Sequence, residues 1–105
     1  MKLKAADRIV LLGILPSQGS FLTLSVADDI RHKLTFSVEE REAIALVEKP
    51  DGRIEWKVEA DLGKDVSLSE AENSLIAAEL KTLNDQKKLS NIHLDIYRRF
   101  VLGQE

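Results

Sequence analysis

The sequence contains no cysteine. That absence excludes disulfides, thiolate metal sites and cysteine nucleophiles together, and it fits a reducing compartment. Aromatic residues are scarce, with three Phe, one Trp and one Tyr, so a core must be assembled mainly from Leu, Ile, Val and Ala. No apolar run approaches the ~20 residues that span a bilayer. Positive charge is not in excess: fifteen Lys plus Arg face eighteen Asp plus Glu, a formal net charge of −3. Nucleic-acid binders carry a basic excess, and here the basic residues are scattered, which disfavours DNA or RNA as a partner. The five glycines are isolated, so no glycine-rich phosphate loop is present. His32 and His93 each stand alone. Asp29 with His32 comes nearest to ligand spacing, but such a pair belongs to an ordinary solvated helix face, so no metal or cofactor is expected.

What remains is the composition of a folded domain. The chain has 105 residues, 44% hydrophobic and 31% charged, which is enough to bury one core without covalent staples. We read residues 1–105 as a single domain. The first twelve residues loosely mimic a signal peptide, with basic residues ahead of an apolar stretch. Asp7 interrupts the stretch and no small-residue cleavage site follows before Pro16, so the segment is expected to be a helix of a cytoplasmic protein.

Apolar periodicity places that first helix at Lys4–Leu15. Ile9, Val10, Leu11, Leu12, Ile14 and Leu15 wrap most of its circumference, which predicts burial on more than one side. It is either the central helix or half of a subunit interface. Gly13 inside it calls for a tight helix crossing or an early helix end. Pro16 to Gly19 is a stop. A second helix starts between Ser20 and Ser25 and ends near Leu34, with Leu22, Val26, Ile30 and Leu34 as its ridge. Asp28, Asp29, Arg31 and Lys33 fall on its solvent side. Ser37 and Glu40 form a capping box, opening a short third helix over Val38–Ile44.

A β-hairpin follows. Ile54, Trp56 and Val58 alternate with Arg53, Glu55 and Lys57, the period of a half-buried strand, and Ala45–Glu48 supplies its partner. Pro50-Asp51-Gly52 is the turn: proline presets the first dihedral, aspartate tolerates the next, and glycine accepts the left-handed one. Lys64–Leu68 is the candidate third strand. Overlapping capping boxes at Ser67–Glu70 and Ser69–Glu72 open a fourth helix that runs to Lys87 or Lys88, with Leu75, Ile76, Leu80 and Leu83 inward. Ser90 or Asn91 caps a last helix in which Ile92, Ile96, Phe100 and Val101 point one way. Arg98 and Arg99 complement the dipole of its last turns. The fold class is α+β, with four to five helices around a small antiparallel hairpin or three-stranded sheet.

The stretch Leu34-Thr35-Phe36-Ser37-Val38-Glu39-Glu40, then Ile54-Glu55-Trp56, a capped helix, and Leu94 to Phe100 resembles small uncharacterised proteins encoded by phages and prophages. The resemblance implies a mobile-element origin and brings no activity and no functional residue with it.

The carboxylate clusters Asp28/Asp29, Glu39/Glu40 and Glu70/Glu72 each have a structural task in a first helical turn. A working acid–base pair would need one carboxyl in an apolar pocket, and nothing places one there. Helix, helix, short helix and hairpin is also the element order of a winged helix-turn-helix. However, the would-be recognition helix carries Glu39, Glu40 and Glu42 against Arg41 alone, and Asp51 sits at the wing tip, a poor match to phosphates and base edges. The expected function is therefore a non-enzymatic protein-interaction module: an assembly, adaptor or host-modulating protein with an unidentified protein partner, forming a homo-oligomer. The winged helix is the alternative, and a small enzyme or ligand-binding protein using Glu and Arg is a third reading. Candidate partner-binding residues are Trp56 (more often a core residue in such a position), Arg53, Glu55, Lys57, Leu11 and Leu12.

Overall fold

The structure, a computed structural model, describes residues 1–104. Among them are strand β1 (Lys2–Leu3), helix α1 (Ala5–Ile14), α2 (Phe21–Leu34), α3 (Val38–Ala43), β2 (Val47–Glu48), β3 (Ile54–Glu55), β4 (Lys64–Asp65), α4 (Glu70–Asp85) and α5 (Leu94–Phe100). Single 3-10 turns cover Val58–Ala60 and Asn91–His93. The protein is α+β, as its sequence indicates. No helix among the described residues is long and apolar enough to cross a membrane.

The helices carry the core. Leu3, Leu11, Ile14, Ile30, Leu34, Val66, Ile76, Leu80 and Ile96 form one buried cluster. Helix α1 packs against both α2 and α4 within it. Ala5, Arg8, Leu11 and Ile14, spaced three apart, are buried, and Val10, Leu12 and Leu15 close on the same cluster from either side. The helix ends at Leu15, whose backbone is extended, as the residue before a proline prefers. Ser20 caps α2 through a bond from the Thr23 amide. Ser69, rather than Ser67, caps α4, in a reciprocal box with Glu72.

Two helical positions expected in the core lie outside it. Leu22 is 73% exposed. Arg8 holds the C-terminus of α2 beside the middle of α1, and α2 measures about 21 Å against about 15 Å for α1 at the helical rise. The first turn of α2 therefore overhangs the core. Ile92 is exposed as well, because Asn91–His93 is a 3-10 turn whose tighter winding takes it out of phase with Ile96.

The strands form two separate antiparallel pairs, not one sheet. β2 pairs with β3, with Val47 opposite Glu55 and Glu48 opposite Ile54. The expected third strand does not join them. Lys64–Asp65 pairs instead with the N-terminal strand β1, Leu3 opposite Lys64 and Lys2 opposite Asp65. Asp61 directs this path: its carboxylate accepts from the Ala5 amide at 2.9 Å and from the Gly63 amide at 3.2 Å. Gly63 then turns with φ +81, and a Cβ there would lie 3.1 Å from the Lys2 side chain. The strand after the turn is also shorter than its alternation suggests. The Lys57 amide donates to the Ile44 carbonyl at 2.7 Å, closing the hairpin base, and the chain passes into the 3-10 turn with Val58 66% exposed. The helices thus pack on one another, and the hairpin sits at their side.

The turn itself follows the sequence. The Gly52 amide donates to the Lys49 carbonyl at 2.9 Å, and the Lys49 amide to the Arg53 carbonyl at 2.7 Å. Gly52 takes φ +89, giving a turn followed by a left-handed glycine, a common hairpin closure.

Candidate functional site

The acidic residues at helix starts serve the fold. In three helices the third residue is an acid that accepts from the cap-residue amide and also meets a cation from another helix. At α1, Asp7 accepts from the Lys4 amide and faces Arg99 of α5 at 3.3 Å. At α3, Glu40 accepts from the Ser37 amide and pairs with Arg8 of α1 at 2.5 Å. At α4, Glu72 accepts from the Ser69 amide and pairs with Lys33 of α2 at 2.6 Å.

Arg8 is 3% exposed and fully engaged. Its Nε donates to the Leu34 carbonyl, Nη2 to the Thr35 carbonyl, and both terminal nitrogens to Glu40. Its plane also lies 3.9 Å over the Phe36 ring. A cation thus neutralises the C-terminal carbonyls of α2, where the helix dipole is negative. The Arg8 hydrogen bond holds the Glu40 carboxyl at about 2, down from 4.5, against the opposing effect of its burial. Burial pushes the Glu72 carboxyl up, but the Lys33 and Ser69 hydrogen bonds outweigh it and the net direction is down. For Arg99, burial lowers the pKa, and Asp7 and Asp95 together raise it further. Glu40 and Glu72 are held ionised by their partners, the opposite of the proton-sharing arrangement of an acid–base pair.

Lys33, expected on the solvent face, therefore ties α2 to α4 through Glu72 and the Ser67 carbonyl. Arg99 bridges Asp7 and Asp95, while Arg98 is exposed. His32 is exposed and lies 3.8 Å from Asp28, not Asp29. His93 Nδ1 accepts from the Ser90 amide. Among the described residues no three His, Cys, Asp or Glu side chains stand together as a metal site.

Two hollows border these ion pairs. One of about 200 Å³ lies beside Arg8, Glu40 and Lys64; the other, a broad depression, is lined by Lys2, Lys4 and the Arg99 bridge. A third opening is different in kind. It is a groove of about 350 Å³ between α1 and the hairpin. Ile9, Leu12 and Gly13 of α1 form its floor, Phe36, Leu46 and Ile54 its walls, and Arg41 and Glu48 its charged rim. Strand periodicity and register explain the hairpin's contribution, because Leu46, Glu48 and Ile54 share one face.

Gly13 is the unusual residue of this floor. Helix α1 continues through it to Ile14, and a Cβ added there would meet nothing within 4 Å. Neither a close crossing nor a left-handed turn requires it. Glycine at an exposed helical position costs about 1 kcal/mol relative to alanine, and here it leaves the groove open.

The sequence-derived candidates separate on this geometry. Leu11 is 0% exposed in the centre of the core, so it has no surface to offer a partner; its i, i+3 alignment with Arg8 and Ile14 turns it toward α2 and α4. Leu12, one residue on, is half-buried in the groove floor. Trp56 is half-buried but does not join the core cluster, because its hairpin lies outside the helices. Arg53, Glu55 and Lys57 are exposed. Arg53 bonds Asp51 within its own turn, and Glu55 lies 3.6 Å from Lys49 across the hairpin. Of the winged-helix elements, α3 is only six residues long, with Glu39 and Glu42 exposed and Glu40 committed to Arg8. Apart from Gly13, nothing in the local sequence pattern marks Ile9, Phe36, Arg41, Leu46 and Glu48 as groove residues.

No protein-family model matches the chain, and neither a curated protein nor a solved structure is significantly similar to it.

Proposed function

We propose that this protein is a non-enzymatic protein-interaction module, of the assembly, adaptor or host-modulating kind, that docks its partner in the groove between α1 and the hairpin. The observation that carries the reading is the groove itself, an apolar floor and walls held open at Gly13 between two charges. Ligand sites are concave and mostly apolar with few placed polar groups, and this one is built that way. The engagement of Arg8, Lys33 and Arg99 with Glu40, Glu72 and Asp7 supports the same reading, since those charges are spent on the fold. The phage resemblance adds a mobile-element setting. Helices α2 and α4 pack on α1 on its Leu11 and Ile14 side, which leaves Ile9 and Leu12 as its apolar face toward a partner.

A photo-crosslinking amino acid placed at Leu12 tests the proposal in the native host. Discrete protein adducts from position 12, absent from a control label at exposed Lys81 and lost when Gly13 is replaced by leucine, are expected. Equal labelling from both positions, or retardation of random duplex by the unlabelled protein at low salt, would overturn it in favour of non-specific contact or the winged-helix alternative.

A further inference from the structure

Resting on that reading and deepening it, we propose that the groove takes an extended segment of a partner protein, laid alongside the hairpin. The segment seats a large apolar side chain over Gly13, between an acidic residue facing Arg41 and a basic residue facing Glu48.

The hairpin is an incomplete sheet. Strands β2 and β3 pair only with each other, and a two-stranded ribbon is marginal by itself. The strand that might have completed it, Lys64–Asp65, is paired with β1. The Lys49 amide donates to the Arg53 carbonyl between the strands, so by the alternation of antiparallel pairing Glu48 and Ile54 form a pair without ladder bonds. Their backbone groups point outward to the two edges, and on the β2 edge the Leu46 amide already donates to the Arg41 carbonyl at 2.9 Å. A strand added at an edge projects every second side chain to the face carrying Leu46, Glu48 and Ile54, which is the wall of the groove.

The rim supplies direction. Arg41 and Glu48 carry opposite charges, both are exposed, and among the described residues neither has an ion-pair partner. A segment with the complementary order of charges gains at Arg41 and at Glu48, and the reversed order is repelled at both. Size selects the kind of occupant. A hollow of about 350 Å³ seats one or two large side chains. A large side chain buries roughly 150–250 Å², so one or two fall well short of the roughly 800 Å² per partner of a stable subunit interface, which argues for a short segment over a second copy of the chain.

Selection of a random nonapeptide library displayed on yeast against the full-length protein tests this directly. The expected consensus is an acidic residue, a large apolar residue and a basic residue at alternating positions. A synthetic consensus peptide should lose about tenfold or more in affinity on Gly13→Leu, a change of about 1.4 kcal/mol or more. It should also lose affinity when backbone amides on one side of the peptide are N-methylated. Arg41→Glu should change the acidic consensus position to a basic one. That arm carries the test if Gly13→Leu does not fold by circular dichroism. Groove-dependent peptides that are helical, or that ignore Arg41→Glu, would overturn this inference while leaving the docking groove standing. Peptides indifferent to Gly13→Leu would overturn both. Concentration-dependent dimerisation by sedimentation, abolished by Gly13→Leu, would make the occupant a second copy, presenting exposed Phe21 and Leu22, and would likewise overturn the inference.

Discussion

The junctions at Glu40 and Glu72 are built from one local device and differ in which charge is buried. Both begin as a Ser-x-x-Glu capping box, and in both the glutamate meets a cation from an earlier helix. At α3 the cation is the buried member: the Arg8 side chain is 4% exposed and Glu40 28%. At α4 the order is inverted, Lys33 being 40% exposed and Glu72 6%. Arginine suits the first position because its planar fork can satisfy two carbonyls and a carboxylate at once while stacking on Phe36. Lysine suits the second because its long stem lets the ammonium reach a buried acid from the rim. A capping box therefore fixes a helix start but not the cost of losing it. That cost depends on whether the remaining partner can return to water.

The largest effect should come from the arginine junction. Arg8→Met leaves the Leu34 and Thr35 carbonyls without a donor and Glu40 without its cation. A loss of about 3–5 kcal/mol is expected, in line with breaking a buried pair, read by urea denaturation with an unchanged m-value. Next comes acid. The folded carboxyl of Glu40 is depressed from 4.5 to about 2, so its stabilisation is fully present above the unfolded value and lost as pH falls through the folded one. Glu72 is shifted in the same direction. Wild-type stability should drop by roughly 3 kcal/mol between about pH 5 and pH 2, and Glu40→Gln should flatten most of that slope in a pH series of chemical melts.

Lys33→Met should cost about 1–2 kcal/mol near neutral pH. Part of that loss should return on mild acidification, because burial, no longer opposed by the ammonium, favours the protonated Glu72. Arg8→Met should recover less, since Glu40, 28% exposed against 6% for Glu72, is hydrated more readily. If the two variants respond to pH alike, the inverted burial is not what separates the junctions. Gly52→Ala, at φ +89, should cost about 1–2 kcal/mol within the hairpin. It should be visible as faster hydrogen exchange near Val47 and Glu55, with little change in the global transition. Smallest of all, Gly13→Ala should raise stability by up to about 1 kcal/mol, measured as an increase in melting temperature.

Local signals are the legible ones in this chain. The Ser37–Glu40 and Ser69–Glu72 boxes, the stop at Pro16 and the turn at Gly52 all involve residues within a few positions of one another, where backbone geometry leaves few alternatives. The failures involve distant partners. Lys33 has the look of a surface lysine until α4 arrives beside it. Arg8 is a single charge in an apolar helix, and the sequence does not say that α2 will end against it. Leu22 obeys the helical period and is still exposed, because the period does not say how far a helix extends past its neighbour.

The α+β class, the approximate helix positions, the Ser37–Glu40 capping box and the hairpin turn are legible in the sequence, since these depend on dihedral preferences and hydrogen bonds spanning three or four residues. Tertiary structure alone decided that β4 pairs with β1, that Leu11 is core while Leu12 lines a groove, and which cation meets each capping acid. Those outcomes depend on contacts between residues far apart in the chain, whose closure entropy must be offset by the whole core at once. No single segment carries that information.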